Sequence, residues 1–164
     1  MPLSLTPAAF VMTAANDAAP AYDPQLLDEL EDDHRRLAQL YASVMHAHKQ
    51  SDPVRCMAAL GAFRTHLVAH LQREDRELYD YLQHTLDRHA SDTPHLRGML
   101  DAMQVIGEAL ERFGNDYVNA LDNADAHARF GRDLQRIGVI LAHRIREEEA
   151  VLYPMYLPNF RAEF

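Results

Sequence analysis

Four ionisable side chains stand where the pattern of this chain asks for leucine. His34 interrupts the stripe Leu27, Leu30, Leu37, Tyr41, Val44, and His70 and Glu74 interrupt Leu60, Phe63, Leu67, Leu78, Tyr81. Glu148 does the same in Phe130, Leu134, Ile137, Leu141, Leu152, Met155. Burying a carboxylate or an imidazole without a partner costs several kcal/mol, so an inward face carrying them needs compensating charge or hydrogen bonds. A hydrogen-bonded network free of metal is one solution, and a bound cation is the other. Imidazole and carboxylate together suit borderline metals, iron first with manganese and zinc as competitors, whereas calcium takes oxygen donors alone.

The spacings favour the cation. His70 and Glu74 are four apart and lie one above the other on a helix face. His143 and Glu148 are five apart, a turn of about 140° around the axis, so His143 approaches Glu148 from the flank of its stripe. His95 opens another segment beside Leu96 and Met99, near its inward face. Neighbouring candidates have plainer readings. His66, one turn before His70, reads as a rim histidine, Glu77 and Glu149 as solvated carboxylates, and Glu147 as a rival to Glu148. His46, His48, His84, His89 and His127 fall near helix ends or off the stripes and read as surface residues. Cys56 reads as a small buried hydrophobe.

Helices must carry these stripes, because apolar residues recur at three and four and no segment alternates as a strand does. Asp23-Pro24, Ser51-Asp52-Pro53, Ser91-Asp92-Thr93-Pro94 and Asn123-Ala124-Asp125 each supply a capping residue at a helix start, three with proline in the first turn. The marks delimit helices over roughly 24–49, 53–85, 94–121 and 125–157. The expected architecture is all-α, an antiparallel up-down-up-down four-helix bundle over residues 23–158. Residues 1–22 form an Ala- and Pro-rich arm, and 159–164 a short tail. The Tyr79-Asp80-Tyr81 and Tyr153-Pro154-Met155-Tyr156 segments are expected to close one end.

Composition removes other classes. The 164 residues carry 16 Lys and Arg against 25 Asp and Glu, a net charge of −9, which disfavours nucleic acid and anionic membrane surfaces. No run of about 18 apolar residues is present to span a bilayer. One cysteine allows no internal disulfide, and Met1 to Met12 lacks a basic export signal, so the expected compartment is the cytoplasm. No phosphate-binding glycine loop, nucleophile elbow or zinc-type cysteine spacing occurs.

Over roughly residues 25–157 the chain resembles the hemerythrin-like, or HHE cation-binding, proteins. The resemblance rests on Asp33-His34-Arg35-Arg36-Leu37, on His70-Leu71-Gln72-Arg73-Glu74 followed by Leu78-Tyr79, and on His143 to Glu148 followed by Leu152-Tyr153-Pro154. It implies metal ligands His34, His70, Glu74, His95, His143 and Glu148 around two non-haem irons, both carboxylates bridging. It implies O2 or NO as the small ligand, with sensing, storage, carriage or iron handling as the role, rather than turnover of an organic substrate. The oxygen carriers of the family have HxxxH on the third helix. Here the second position is Met99, which leaves an open coordination position or a weaker site. The alternative is a metal-free helical regulator acting through a protein partner. A repair or peroxide-consuming enzyme is a third reading.

Overall fold

The computed structural model of the chain describes residues 20–86, 98, 101, 105–109, 112–113, 123–158 and 160. Among them all regular structure is helical, in four helices, two of which run on through a π turn into a further short α segment. α1 is Leu26–Lys49 and α2 is Pro53–Arg73. α2 runs through a wide π-helical turn, Glu74–Tyr79, into α3, Asp80–Leu86. Residues 98, 101, 105–109 and 112–113 are helical. α4 is Ala124–Glu147, continued by a second π turn, Glu148–Leu152, and by α5, Tyr153–Tyr156.

Two of the expected caps are in place. Asp52 accepts the Arg55 N–H at 3.0 Å ahead of Pro53, and Asn123 accepts the Asp125 N–H at 2.9 Å. The first differs. The Asp23 carboxylate accepts the Gln25 N–H at 2.9 Å, a turn outside the helix, and α1 opens from Gln25 with no side-chain cap. The third, at residues 91–94, lies outside the described residues, as do 1–19 of the arm and most of the helix expected over 94–121.

Pairings fix the relative directions. Glu29 meets Arg73, Asp33 meets His66 and His70, Tyr41 stacks edge-on against Phe63, and Val44 meets Cys56, so α1 and α2 run antiparallel. Tyr41 Oη donates to the Leu134 carbonyl at 2.9 Å, and the rings of His48 and His127 stack at 4.0 Å. With His34 beside Glu148, these place α4 antiparallel to α1 as well. The Tyr41 contact requires Gly138, where an added Cβ would collide with the phenol oxygen. His48 and His127 are therefore half-buried partners and not the surface residues their position suggests.

The core is Leu26, Leu30, Leu37, Val44, Leu60, Phe63, Leu67, Phe130 and Leu134 with their neighbours. Each such side chain contributes about 1.5–3 kcal/mol by leaving water. Cys56 is buried as expected, and burial pushes its thiol pKa up. The π turns change the register. A five-residue turn lets two consecutive residues face inward, so both Leu78 and Tyr79, and both Leu152 and Tyr153, are buried. Tyr81, expected on the stripe, sits partly buried at the end with Tyr22 and Tyr156. Tyr156 Oη also takes the Asp23 N–H at 2.8 Å and so closes that end.

Asp52→Ala is expected to lower stability by about 1 kcal/mol, or the melting temperature by about 2–4 °C. Val139→Thr on the exposed face of α4 should stay within about 0.5 kcal/mol. Thermal melts followed by circular dichroism measure both.

Candidate metal centre

His34 on α1, His70 on α2, Glu74 at the start of the first π turn and Glu148 at the start of the second converge in the interior. All four are buried, and one ligand atom from each lies within 4.8 Å of every other. The two imidazoles approach edge-on at 4.8 Å between ring centres.

Each imidazole is backed by a carboxylate. His34 Nδ1 lies 2.8 Å from Glu149 Oε1, and His70 Nδ1 lies 3.3 Å from Asp33 Oδ2. That leaves Nε2 of each facing the interior, 3.1 Å from Glu148 Oε2 for His34 and 3.4 Å from Glu74 Oε1 for His70. Metal-binding histidines are oriented in this way, with the far nitrogen held by a carboxylate. Tyr153 stacks flat on His34, and its hydroxyl donates to Glu74 Oε1 at 3.2 Å.

Charge is the problem this cluster has to solve. Burial lowers the pKa of His34, but hydrogen bonds to Glu148 and Glu149 outweigh it and the value ends above 6.5. Burial raises Glu74, but His70, Arg144 and His34 more than reverse that, and its carboxyl ends below the ordinary value. Glu148 stays above the ordinary value, because burial and the nearby Glu74 charge outweigh His34 and Arg144. Glu74 Oε2 is buried with no hydrogen-bond partner among the described residues. An anionic oxygen left bare inside a cluster of nitrogen and oxygen donors fits a cation.

The structure brings together four of the six ligands implied by the sequence. His143 is not among them. Its side chain is 66 % exposed and pairs with Glu147 at 3.4 Å. The 140° turn that separates it from Glu148 carries it past the flank and out to solvent. His95 lies outside the described residues. Glu147, the rival to Glu148, is that outer partner, and Glu77 pairs with Arg73 at 3.3 Å. His66 stands 3.4 Å from Asp33, behind the site rather than in it.

Sequence reasoning missed three kinds of residue. Arg144 is buried with Nε 2.5 Å from Glu148 Oε1, and it donates to Tyr79 Oη at 2.8 Å. It sits four residues before Glu148, on the stripe between Leu141 and Glu148, so its position was visible though its charge argued for the surface. Tyr79 and Tyr153 were visible as tyrosines, but only the π turns aim them inward. Burial pushes both phenols well above their ordinary pKa, so both stay protonated. Asp33 and Glu149 flank ligands in sequence, and Glu149 reads as a plain solvated carboxylate until α1 is placed against it.

A family model described as "Hemerythrin HHE cation binding domain" matches residues 25–156. No curated protein and no solved structure matches the chain.

In the metal-free protein, the raised His34 pKa means that folding strengthens proton binding there. Its contribution is fully present below the unfolded value of 6.5 and is lost as the pH rises through the higher folded value. Denaturant unfolding of metal-free His34→Gln should therefore show a larger loss of stability at about pH 6 than at about pH 9. Equal losses at both would contradict the assigned pairing with Glu148 and Glu149.

Proposed function

We propose, for a chain that belongs to the hemerythrin HHE cation-binding domain family, that His34, His70, Glu74 and Glu148 hold a non-haem transition-metal ion. Iron is the first choice, with manganese and zinc as competitors, since two imidazole nitrogens and carboxylate oxygens suit borderline metals. The observation that carries this reading is the pair of inward Nε2 atoms, each set by a carboxylate behind its ring and each beside a buried glutamate, together with the bare Oε2 of Glu74. A bound iron would supply an open coordination position for O2 or NO, and the role would be sensing, storage or iron handling.

The chain's own residues do the rest. Glu149 and Asp33 fix the ring orientations, and the Tyr153 hydroxyl holds Glu74 Oε1 in place. Leu37, Leu67 and Leu152 are fully buried and wall the cluster from water. The two-iron arrangement implied by the resemblance needs outer donors from the third and fourth helices. On the fourth, His143 is exposed. The same proposal includes the up-down-up-down order of a domain over 23–158, with 1–22 as an arm and 159–164 as a tail. The antiparallel pairing of α1 with both α2 and α4 supports it. No described helix is long and apolar enough to cross a membrane. A reducing cytoplasm suits both a ferrous site and the lone thiol of Cys56.

The second reading, a metal-free regulator that works through a protein partner, draws on Arg144, which supplies internal charge to Glu148. It gives no account of why Glu74 Oε2 lacks a partner.

Anaerobic loading with ferrous iron tests the proposal. Iron that survives desalting, a visible absorption band on adding NO, and a gain of about 2.7 kcal/mol in stability at a hundredfold excess over Kd are expected. Glu74→Ala should abolish all three, and Glu147→Ala should leave them. No retained iron, manganese or zinc would turn the reading over to the regulator.

A further inference from the structure

The interior is built as two copies of one local pattern. On the second helix a basic side chain stands four residues before a buried glutamate, His70 before Glu74; on the fourth, Arg144 stands four before Glu148. Each glutamate opens a π turn, and each turn delivers a Leu-Tyr pair inward, Leu78-Tyr79 and Leu152-Tyr153. The tyrosines then cross over. Tyr79 accepts from Arg144 of the fourth helix, and Tyr153 donates to Glu74 of the second. The frame is matched at both ends, but the contents are not: one end presents imidazoles and the other a guanidinium.

Glu148 shows what the difference does. In a site with two ions each bridging carboxylate gives one oxygen to each ion. Here Oε2 of Glu148 faces His34 at 3.1 Å, and Oε1 faces Arg144 at 2.5 Å. We propose that the Arg144 guanidinium stands in the place of a second metal ion, so that the centre takes one cation, held by His34, His70, Glu74 and Oε2 of Glu148. This rests on the cation-binding reading above and narrows it to a single ion.

Charge balance points the same way. An arginine keeps its proton inside a protein, so it is a permanent cation. With Glu74 and Glu148 ionised and Arg144 charged, one divalent ion leaves the inner cluster with one net positive charge, and a second would leave three. Glu149 and Asp33, on the outer nitrogens of the histidines, bring two further negative charges to the rim, enough to offset the single-ion sum but not the two-ion sum. The guanidinium also has no lone pair to offer, so it can replace an ion but cannot bind one. His143, the fourth-helix residue that would serve a second ion, is out in solvent against Glu147.

Metal counting on the full chain decides it. Anaerobic titration with ferrous iron, and separately with cobalt(II), followed by desalting and elemental analysis, is expected to give one ion per chain. The cobalt(II) form should show the paramagnetic resonance of an isolated ion. Two ions per chain with a spin-coupled signal overturn the single-ion inference while leaving the cation-binding reading standing. No retained ion overturns both. Arg144→Lys should still bind one ion. Arg144→His, checked for native helicity by circular dichroism, should raise the count from one to two. A folded Arg144→His chain that still takes one ion would show that the guanidinium is not what excludes the second.

Discussion

Two carboxylates and two imidazoles share a space from which water is excluded, and the design of the rest of the domain follows from that. Glu74 has no exposure and Glu148 has 1 %. A carboxylate so placed must be neutralised, hydrogen-bonded or protonated. All three answers are in use before any metal is considered. Arg144 neutralises, Tyr153 and the imidazoles donate, and burial pushes Glu148 towards its protonated form. Glu148 Oε1 is met only by the charge of Arg144, and for Glu74 Oε2 the described residues supply neither a hydrogen bond nor an ion pair. The apolar residues can be chosen for packing alone; the polar ones must be chosen in sets.

His34 shows how such a set works. With Glu149 on Nδ1 and Glu148 on Nε2, both ring nitrogens face acceptors, and only the imidazolium can donate to both. A proton on Nε2 then sits on the nitrogen that a cation would use. Protons and metal compete for the same lone pair, which is the general coupling of metal sites to pH. Glu149 keeps its role in either state, because its bond to Nδ1 is independent of what Nε2 carries. Its partial exposure helps: a half-solvated carboxylate can orient the ring without adding its full charge to the interior.

The helical class, the cap residues at Asp52 and Asn123, and the inward positions of His34, His70, Glu74 and Glu148 were all legible in the sequence. They follow from period and from local capping chemistry, which a linear reading captures. The π turns were not. An extra residue in a turn leaves no signature in an apolar pattern that continues on both sides of it, so Tyr79 and Tyr153 could be seen only once the helices were placed. His143 was misplaced for a related reason: angular position gave its flank, and only the packing of α4 shows that this flank faces solvent. Arg144 is the instructive case. It lies on the stripe, and the ordinary preference of arginine for the surface hid it. Glu149 was hidden likewise, within a run of three glutamates whose members point three ways: Glu147 to His143, Glu148 inward, and Glu149 to His34.

The two ends of the domain divide the labour between stability and chemistry. Towards the α1–α2 connection the interior is Phe63, Phe130, Leu60, Leu134 and Val44, with Tyr41, the Cys56 thiol and the His48–His127 pair as its polar side chains among the described residues. Towards the tyrosine-closed end lie the buried ions, both π turns and the crossed tyrosines. A buried ion pair adds little net stability over a well-packed apolar replacement, and losing one member is strongly destabilising. A cluster of this kind therefore cannot hold the bundle together by itself. It has to be carried by an apolar end that holds the helices in register, and that register is what brings α1 and α4 close enough for Glu149 to reach His34. Replacing Arg144 with a neutral residue strains this arrangement twice, by freeing Glu148 Oε1 and by releasing Tyr79, which together with the Tyr153–Glu74 bond ties the second helix to the fourth at the level of the site. The guanidinium is thus a structural counter-charge, and on the single-ion proposal the same group limits how many cations the interior accepts.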